Sequence, residues 1–292
     1  DMHWRLAKEF ARIEQKYPNP MSEQEIFDLL DKFIYVIPQG SPMSGIGNDD
    51  QIMSISNCFV LDAPEDSYAG IMHTDQQQVH LMRRRGGVGF DISKIRPAGM
   101  PTANAAKTTD GISVFMERFS NTCREVATRS RRGALMLTIS VHHPEIKTFI
   151  NIKKDLKKVT GANISIRTTD EFMNAVKNNS TYEQKWPVDS NDPQISQMVN
   201  AKEIWDEMIE AVHTSAEPGI LFWDTVQKNS PADIYKDFGY NSQSTNPCIS
   251  GDTLIATADG RNAVTIKQLA EEGRDVAVYS SDPQTGKVSI KQ

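Results

Sequence analysis

Between residues 58 and 215, short runs with the character of β-strands alternate with longer stretches whose apolar residues recur at helical spacing. The successive segments are 58–61, 66–84, 88–91, 109–126, 134–141, 144–153, 162–167, 170–176 and 201–215. This alternation predicts an α/β architecture with a largely parallel sheet, in which an active site would lie at the carboxyl ends of the strands. The strands read as near-continuously apolar, which predicts burial of both faces of the sheet.

Helices are also predicted before this alternating region. Apolar residues recur at helical spacing from Leu6 to Ile13, and the prolines that follow cannot continue the helix. Ser22 and Glu25 have the spacing of a capping box, which predicts a second helix over residues 23–33. Residues 1–50 are therefore expected to form a helical N-terminal region.

The chain changes character at two later places. Residues 178–200 are polar and rich in turn-forming residues, which predicts a surface excursion. From Cys248 onward, short strands and turns replace the α/β pattern, with one short helix expected over residues 266–272. The predicted domains are therefore an α/β domain at 51–247 and a small all-β fragment at 248–292.

The charge and the cysteines limit the kinds of protein. Lys and Arg total 32 against 38 Asp and Glu, and this net charge of -6 argues against general nucleic-acid or membrane-surface binding. Cys58, Cys123 and Cys248 are too far apart for a zinc site or a disulfide framework, and Cys123, within a predicted helix, is assigned to packing. The N-terminal residues have neither a signal-peptide core nor a membrane span. We therefore predict a cytoplasmic protein.

Two arginine-bearing loops are candidate phosphate sites. The glycines of residues 86–89 are not a phosphate loop, because a predicted helix precedes them and a strand follows, which reverses the required order. Arg96 and the pair Arg131 and Arg132 lie beside small residues in loops, where guanidinium groups can bind phosphate oxygens. The two loops suggest a polyphosphate ligand, whereas composition alone is also explained by two solvated basic loops.

Cys58 stands at the start of an apolar strand. Most such cysteines are inert core residues. The functional alternative is a redox thiol at a strand edge, with Ser56 and Asn57 offering hydrogen bonds to a substrate. His142 and His143 are adjacent on a predicted strand and would point to opposite faces, so we predict no metal site there.

Several motifs occur in order along the chain. They are Ser56-Asn57-Cys58-Phe59-Val60-Leu61, Asp66-Ser67, Arg83 to Asp91, Ile95-Arg96-Pro97-Ala98-Gly99, Arg131-Arg132-Gly133-Ala134-Leu135-Met136, Thr160-Gly161-Ala162-Asn163-Ile164-Ser165, Ala216-Glu217-Pro218-Gly219-Ile220 and Ser244-Thr245-Asn246-Pro247. Together they resemble the catalytic subunit of ribonucleotide reductases over roughly residues 2–247. The resemblance is strongest to the adenosylcobalamin-dependent, class II branch.

The resemblance implies a ten-stranded α/β barrel built from two five-stranded halves, of which this chain holds the first. The implied reaction replaces the 2'-hydroxyl of a ribonucleotide by hydrogen, begun by a cysteine thiyl radical and driven by a cysteine pair. Cys58 matches the first cysteine of that pair, and Asn246 matches the asparagine that holds the substrate. Ser41, Ser56 and Asn57 fall near positions that bind the substrate's phosphate or ribose.

The resemblance also implies allosteric control and several partners. Asp66, Ser67 and Arg96 match the site that binds a deoxynucleotide or ATP effector at a homodimer interface. Arg131 and Arg132 match the loop that relays the choice of effector to the substrate. Adenosylcobalamin is the implied cofactor, and a thioredoxin-like protein is the implied reductant.

The pattern departs from the family at Cys248. The family has Gly and then Glu after its radical cysteine, whereas Ile249 and Ser250 follow here. Residues 248–255 instead resemble the N-terminal block of an intein, whose first cysteine attacks the preceding carbonyl group to form a thioester. A C-terminal intein and reductase half would then complete the protein. The alternative is that Cys248 is the radical cysteine of a divergent reductase.

Two other kinds of function are compatible with parts of the sequence. A nucleotide-binding regulatory module without catalytic activity would use the same arginine loops and would need no later cysteine. Nucleic-acid binding through those loops would show steep salt dependence, and the acidic charge argues against it. The continuation of the reading frame distinguishes a reductase from a regulatory module.

Overall fold

The computed structural model describes residues 2–128, 131–246, 254–265, 268–269, 272, 276–281 and 288–291. The chain divides into two compact units, Asp1–Pro247 and Cys248–Gln292. Among the helices of the described residues, none combines the length and the hydrophobicity needed to cross a bilayer.

The elements of the first unit follow the predicted order closely. The helices are α1 (Met2–Glu14), α2 (Glu23–Leu30), α3 (Gly40–Gly45), α4 (Tyr68–Met82), α5 (Ile112–Glu125), α6 (Ile146–Asn151), α7 (Asp170–Lys177), α8 (Ala201–Ser215) and α9 (Trp223–Asn229). The strands are β1 (Cys58–Val60), β2 (Gly87–Asp91), β3 (Ala127–Thr128), β4 (Arg131–Arg132), β5 (Leu135–Ser140), β6 (Asn163–Thr168), β7 (Thr181–Trp186), β8 (Ile195–Asn200) and β9 (Gly219–Phe222). Short 3₁₀ turns cover Asp31–Phe33, Ile152–Lys154 and Asp233–Phe238.

The capping box predicted for the second helix is confirmed. The amide of Ser22 donates to the Glu25 carboxylate at 2.7 Å, and the amide of Glu25 donates to the Ser22 hydroxyl at 3.2 Å. The helix ends at Leu30, slightly earlier than predicted, because a 3₁₀ turn with Lys32 at φ 52° follows it.

Five parallel strands form the central sheet in the order β1-β2-β5-β6-β9. Each strand pairs with the next one in this series, so every crossover advances in the same direction. Because parallel crossovers are right-handed, this order places the intervening helices on one face of the sheet. The predicted parallel α/β sheet is therefore confirmed, with helices on one face.

The two faces of the sheet differ in character. Residues that share one face include Val88, Phe90, Leu137, Ile164 and Ile166, all buried in the main core with residues of α5, α6, α7 and α8. The rings of Phe90 and Phe119 illustrate this packing, with centroids 4.8 Å apart in an edge-to-face arrangement.

The opposite face presents mainly small and polar side chains. By the pairing register it includes Cys58, Gly87, Gly89, Asp91, Thr138, Ser140, Asn163, Ser165 and Arg167, with the apolar Val60, Met136 and Leu221 among them. The predicted burial of both faces is confirmed for β2 and β5, in which every residue but Met136 is buried. The prediction of near-continuously apolar strands was wrong, because Asp91, Thr138 and Ser140 are buried polar residues.

Residues 178–200, predicted as a surface excursion, contain the antiparallel hairpin of β7 and β8. Alternate residues Tyr182, Gln184 and Trp186 of β7 are buried. The hydroxyl of Tyr182 donates to the carbonyl of Val141 at 3.0 Å, and the indole of Trp186 donates to the carbonyl of Lys94 at 3.2 Å. These tertiary bonds stabilise strands whose polar composition masks their alternation.

The described part of the second unit contains four strands. They are β10 (Leu254–Thr257), β11 (Asn262–Thr265), β12 (Val278–Ser281) and β13 (Val288–Lys291), in an antiparallel sheet of order β11-β10-β12-β13. The helix predicted over residues 266–272 lies largely outside the described residues.

Candidate active site and nucleotide cavity

The amino end of β1 brings together three of the predicted site residues. The side-chain oxygen of Asn57 accepts a hydrogen bond from the amide of Ser41 at 2.8 Å, and Cys58 follows directly at the start of the strand. Cys58 is half-buried, and Ser56 is exposed. The hydroxyl of Ser41 is buried and has no hydrogen-bond partner among the described residues.

This position differs from the expected one. A site at the carboxyl ends of the strands was predicted, whereas Cys58 opens β1 and pairs with Gly87, the first residue of β2. The candidate redox residue therefore lies at the amino end of the sheet. It belongs to the polar face, since its register partner belongs to that face.

The segment that contains Asn246 crosses the same polar face. A Cβ atom on Gly89 would overlap the carbonyl oxygen of Thr245 and would lie 3.1 Å from Cα of Asn246. The buried hydroxyl of Ser244 lies 2.9 Å from that of Thr138 on β5. The absence of a side chain at Gly89 thus lets the backbone of residues 245–246 lie directly on β2.

A buried ion pair lies farther along the polar face and was not predicted. Nε of Arg167 is 2.9 Å from a carboxylate oxygen of Asp91, although its N–H does not point along a hydrogen bond. Asp91 also accepts hydrogen bonds from the amide of Ser93 at 2.9 Å and from the hydroxyl of Thr138 at 3.0 Å. Burial raises the pKa of Asp91, and the charge of Arg167 opposes that rise.

Arg167 also contacts the segment before Asn246. One terminal nitrogen donates to the carbonyl of Gln243 at 3.1 Å, and the guanidinium stacks over the ring of Trp223 at 4.8 Å. A cavity of about 530 Å³ opens beside these residues. The signal in the sequence was the polar residue at alternate positions near the carboxyl ends of the strands: Asp91 in β2, Thr138 and Ser140 in β5, and Ser165 and Arg167 in β6.

The predicted effector residues lie together around a second cavity of about 250 Å³. The side-chain Nε of Arg96 donates to the Asp66 carboxylate at 2.7 Å, and the amide of Arg96 donates to the same carboxylate at 3.0 Å. The hydroxyl of Ser67 accepts the amide of Gly70 at 3.0 Å and so caps α4. Tyr68 and Phe115 add an aromatic side to the cavity.

Other predicted residues are only partly described. Arg131 and Arg132 form β4, which pairs with β3, and their side chains are outside the described part of the structure. Cys248 also lies outside the described residues.

The remaining cysteine and histidine interpretations can be compared with the structure. Cys123 is buried in the main core, as its packing assignment predicted. The imidazole of His142 contacts the carbonyl of Glu183 at 2.7 Å, and that of buried His143 contacts the carbonyl of Ile95 at 2.9 Å. Within the described ranges, no group of three or more His, Cys, Asp and Glu could hold a metal ion.

Comparison with known proteins gives the family. The model of the ribonucleotide reductase barrel domain matches residues 56–250, about two thirds of the chain, and the chain belongs to this family.

Named relatives agree with this assignment. A vitamin B12-dependent ribonucleoside-diphosphate reductase of Mycobacterium tuberculosis is 28% identical over 274 residues, which cover 92% of this chain and 38% of the relative. The corresponding protein of Thermoplasma acidophilum is 27% identical over 255 residues, covering 87% and 31%. A ribonucleoside-diphosphate reductase large subunit of Variola virus is 23% identical over 201 residues, covering 60% and 26%. The chain thus spans less than two fifths of these relatives.

We expect Gly89→Ala to lower the free energy of unfolding by about 1–3 kcal/mol, because the added methyl group would force the 245–246 backbone off β2. Gly87→Ala is the matched control on the same strand and face, since its Cβ would make only contacts of 3.4 Å or more. Urea unfolding of both variants tests this. Equal stabilities would contradict the proposed close approach at Gly89.

Proposed function

We propose that this chain is the N-terminal part of the catalytic chain of a ribonucleotide reductase, which converts ribonucleotides to deoxyribonucleotides by cysteine-radical chemistry. The observation that carries the proposal is the shared polar face of the sheet. Cys58 belongs to this face and the backbone of Asn246 packs against it at Gly89, although the two residues are far apart along the chain. The family assignment and the names of the relatives support the same reaction.

Each site residue has a proposed role. Cys58 would supply one of the two thiols that are oxidised to a disulfide as the ribonucleotide is reduced, and a thioredoxin-like protein would reduce that disulfide again. Asn246 would hydrogen-bond the substrate. Ser41, Ser56 and Asn57 would bind the substrate's phosphate or ribose, and the buried hydroxyl of Ser41 supports this role. The second cysteine and the second five-stranded half of the barrel would lie in the remaining polypeptide.

Adenosylcobalamin is the proposed cofactor, because several relatives are named as B12-dependent. The cavities described above have volumes of about 530 and 250 Å³, and only the larger one lies within the range of roughly 300–1,000 Å³ that is typical of small-molecule sites. A corrin with its nucleotide tail is larger than either. The described residues therefore do not fit the whole cofactor, and we propose that its contacts lie mainly elsewhere in the polypeptide.

We further propose that the cavity beside Arg96 binds a deoxynucleotide or ATP effector in a homodimer. Arg96 would bind phosphate oxygens, and Asp66 would accept a hydrogen bond from a sugar hydroxyl. The aromatic rings of Tyr68 and Phe115 would contact the base. Arg131 and Arg132, which form strand β4 and not the predicted loop, would relay the choice of effector to the substrate.

Residues 248–292 are proposed to be the first part of an intein, completed by a second intein and reductase half. The sulfur of Cys248 would attack the carbonyl carbon of Pro247, the peptide C–N bond would break, and the released amino group would take up the proton. The antiparallel strands of the second unit support this proposal. Both the family match and the 92% alignment run beyond Pro247, so this boundary needs a direct test.

The reductase proposal is tested on the full-length product after splicing. We expect deoxynucleotide formation with adenosylcobalamin and a thioredoxin system, and no turnover above background for Cys58→Ser. Cys123→Ala is the matched control. Cys123 is buried in the core, so this variant should retain activity. Activity of the Cys58→Ser variant equal to that of the wild type would exclude Cys58 from the reducing pair, and an inactive wild type would favour a regulatory module.

Effector binding can be measured on this chain by calorimetry with each dNTP and ATP. We expect Arg96→Gln to weaken binding roughly tenfold, because it removes a charged donor and the ion pair with Asp66. Arg12→Gln removes the same charge from the exposed side of α1 and should leave binding unchanged. A folded wild-type dimer that binds none of these nucleotides would rule out the effector site.

Thioester formation at Cys248 can be detected by cleavage with an added thiol or hydroxylamine. We expect slow release of a fragment that ends at Pro247, identified by its mass, and no release from Cys248→Ala. In cells, the mature reductase should lack residues 248–292. A mature, active reductase that retains these residues would show that they are not an intein.

A further inference from the structure

The segment between β2 and α5 supplies much of the cavity beside Arg96. Thr102, Ala103, Asn104 and Thr109 of this segment line the cavity, opposite residues of α4. The segment leaves the main body at Ala98 and returns at Ile112, where α5 begins. Its shape therefore decides the width of the cavity.

The segment closes on itself at a narrow neck. The amide of Gly99 donates to the carbonyl of Thr109 at 2.9 Å, and Pro101 and Thr108 form an isolated antiparallel bridge. These contacts connect the two ends of the segment to each other. By themselves they do not fix the neck to the sheet.

Glu145 provides that connection. Its carboxylate accepts the amide of Ile112 at 2.9 Å, and the amide of Ala98 lies beside the same carboxylate, so one side chain contacts both ends of the segment. Gly111 makes room for it, because a Cβ there would overlap the carboxylate and lie 2.6 Å from the amide nitrogen of Ala98. Burial raises the pKa of Glu145, and these two amides oppose the rise.

The turn that carries Glu145 is itself bonded to the segment that follows β2. His143 lies in this turn, buried, with Nε2 2.9 Å from the carbonyl of Ile95, while Nδ1 accepts the amide of Glu145 at 3.1 Å. These contacts require the neutral tautomer with its proton on Nε2. Burial lowers the pKa of His143 to about 4, which keeps the ring neutral near pH 7. Glu145 is therefore held in place independently of any ligand.

We infer that Glu145 is a positioning residue for the nucleotide cavity, because its carboxylate fixes both ends of the segment that forms one wall. The inference rests on the proposed effector binding at Arg96. Glu145 is not among the residues that line the cavity. It acts through the backbone amides of Ala98 and Ile112.

The direct test is Glu145→Gln, which replaces one acceptor oxygen by an NH₂ group facing a backbone donor. We expect dNTP affinity to fall roughly tenfold. The amides of Ala98 and Ile112 should also exchange with solvent hydrogen faster in the absence of nucleotide. Ile150→Val, in the core of the following helix α6, is the control for general destabilisation and should change neither quantity.

A second pair of variants approaches the same contact from the other side. Gly111→Ala would displace the carboxylate, whereas Gly99→Ala places a methyl group at a similar positive φ with nothing within 4 Å. Both variants place a side chain at a positive φ, so a loss of affinity in folded Gly111→Ala without a comparable loss in Gly99→Ala supports the inference. This pair also decides the matter if Glu145→Gln fails to fold.

The outcomes separate this inference from the effector proposal. If Glu145→Gln and Gly111→Ala bind dNTP as tightly as the wild type does, the positioning role is overturned and the effector proposal stands. A wild type that binds no dNTP overturns the effector proposal and the positioning role with it. If the amides of Ala98 and Ile112 exchange hydrogen no faster in Glu145→Gln than in the wild type, the proposed role of Glu145 in holding the two ends of the segment is overturned.

Discussion

Side chains along the five parallel strands point alternately to the two faces of the sheet, and the rest of the first unit depends on this alternation. Sequential strand order and right-handed crossovers place the helices on one face of the sheet, so every second side chain enters the apolar core. The side chains of the residues between them point to the opposite face, where Cys58, Asp91 and Arg167 lie. A shift of one residue in any strand would exchange core and site.

The polar face is held together by bonds between segments that are distant in sequence. Arg167 connects β6 to the end of β2 through Asp91 and to the final segment through the carbonyl of Gln243. Removing either member of the buried ion pair would leave a charge without its partner, at a cost of about 3–5 kcal/mol. The pair thus contributes mainly by fixing where residues 243–246 cross the sheet.

Local signals in the sequence were sufficient for much of the fold. The capping box of Ser22 and Glu25 and the order of strands and helices followed from short motifs, and the grouping of Asp66 with Arg96 followed from the family resemblance. Features that depend on tertiary contacts were missed. The strands of the β7–β8 hairpin, for example, are identified by the burial of Tyr182 and Trp186 and not by the composition of the strands. Glu145 was missed for the same reason, since its partners are backbone amides that no residue type reveals.

The two candidate sites depend to different degrees on the rest of the polypeptide. The cavity beside Arg96 is built from α4, α5 and the segment between β2 and α5, all within residues 66–115 of one unit. The polar face, by contrast, belongs to a sheet whose outer strands are β1 and β9, and the thiol of Cys58 lies on the outer strand β1. Two-electron reduction by cysteines requires a second thiol facing Cys58, and Cys123 belongs to the helical core. The proposed nucleotide binding therefore depends on residues of this unit, whereas the proposed reduction would depend on a second thiol facing Cys58.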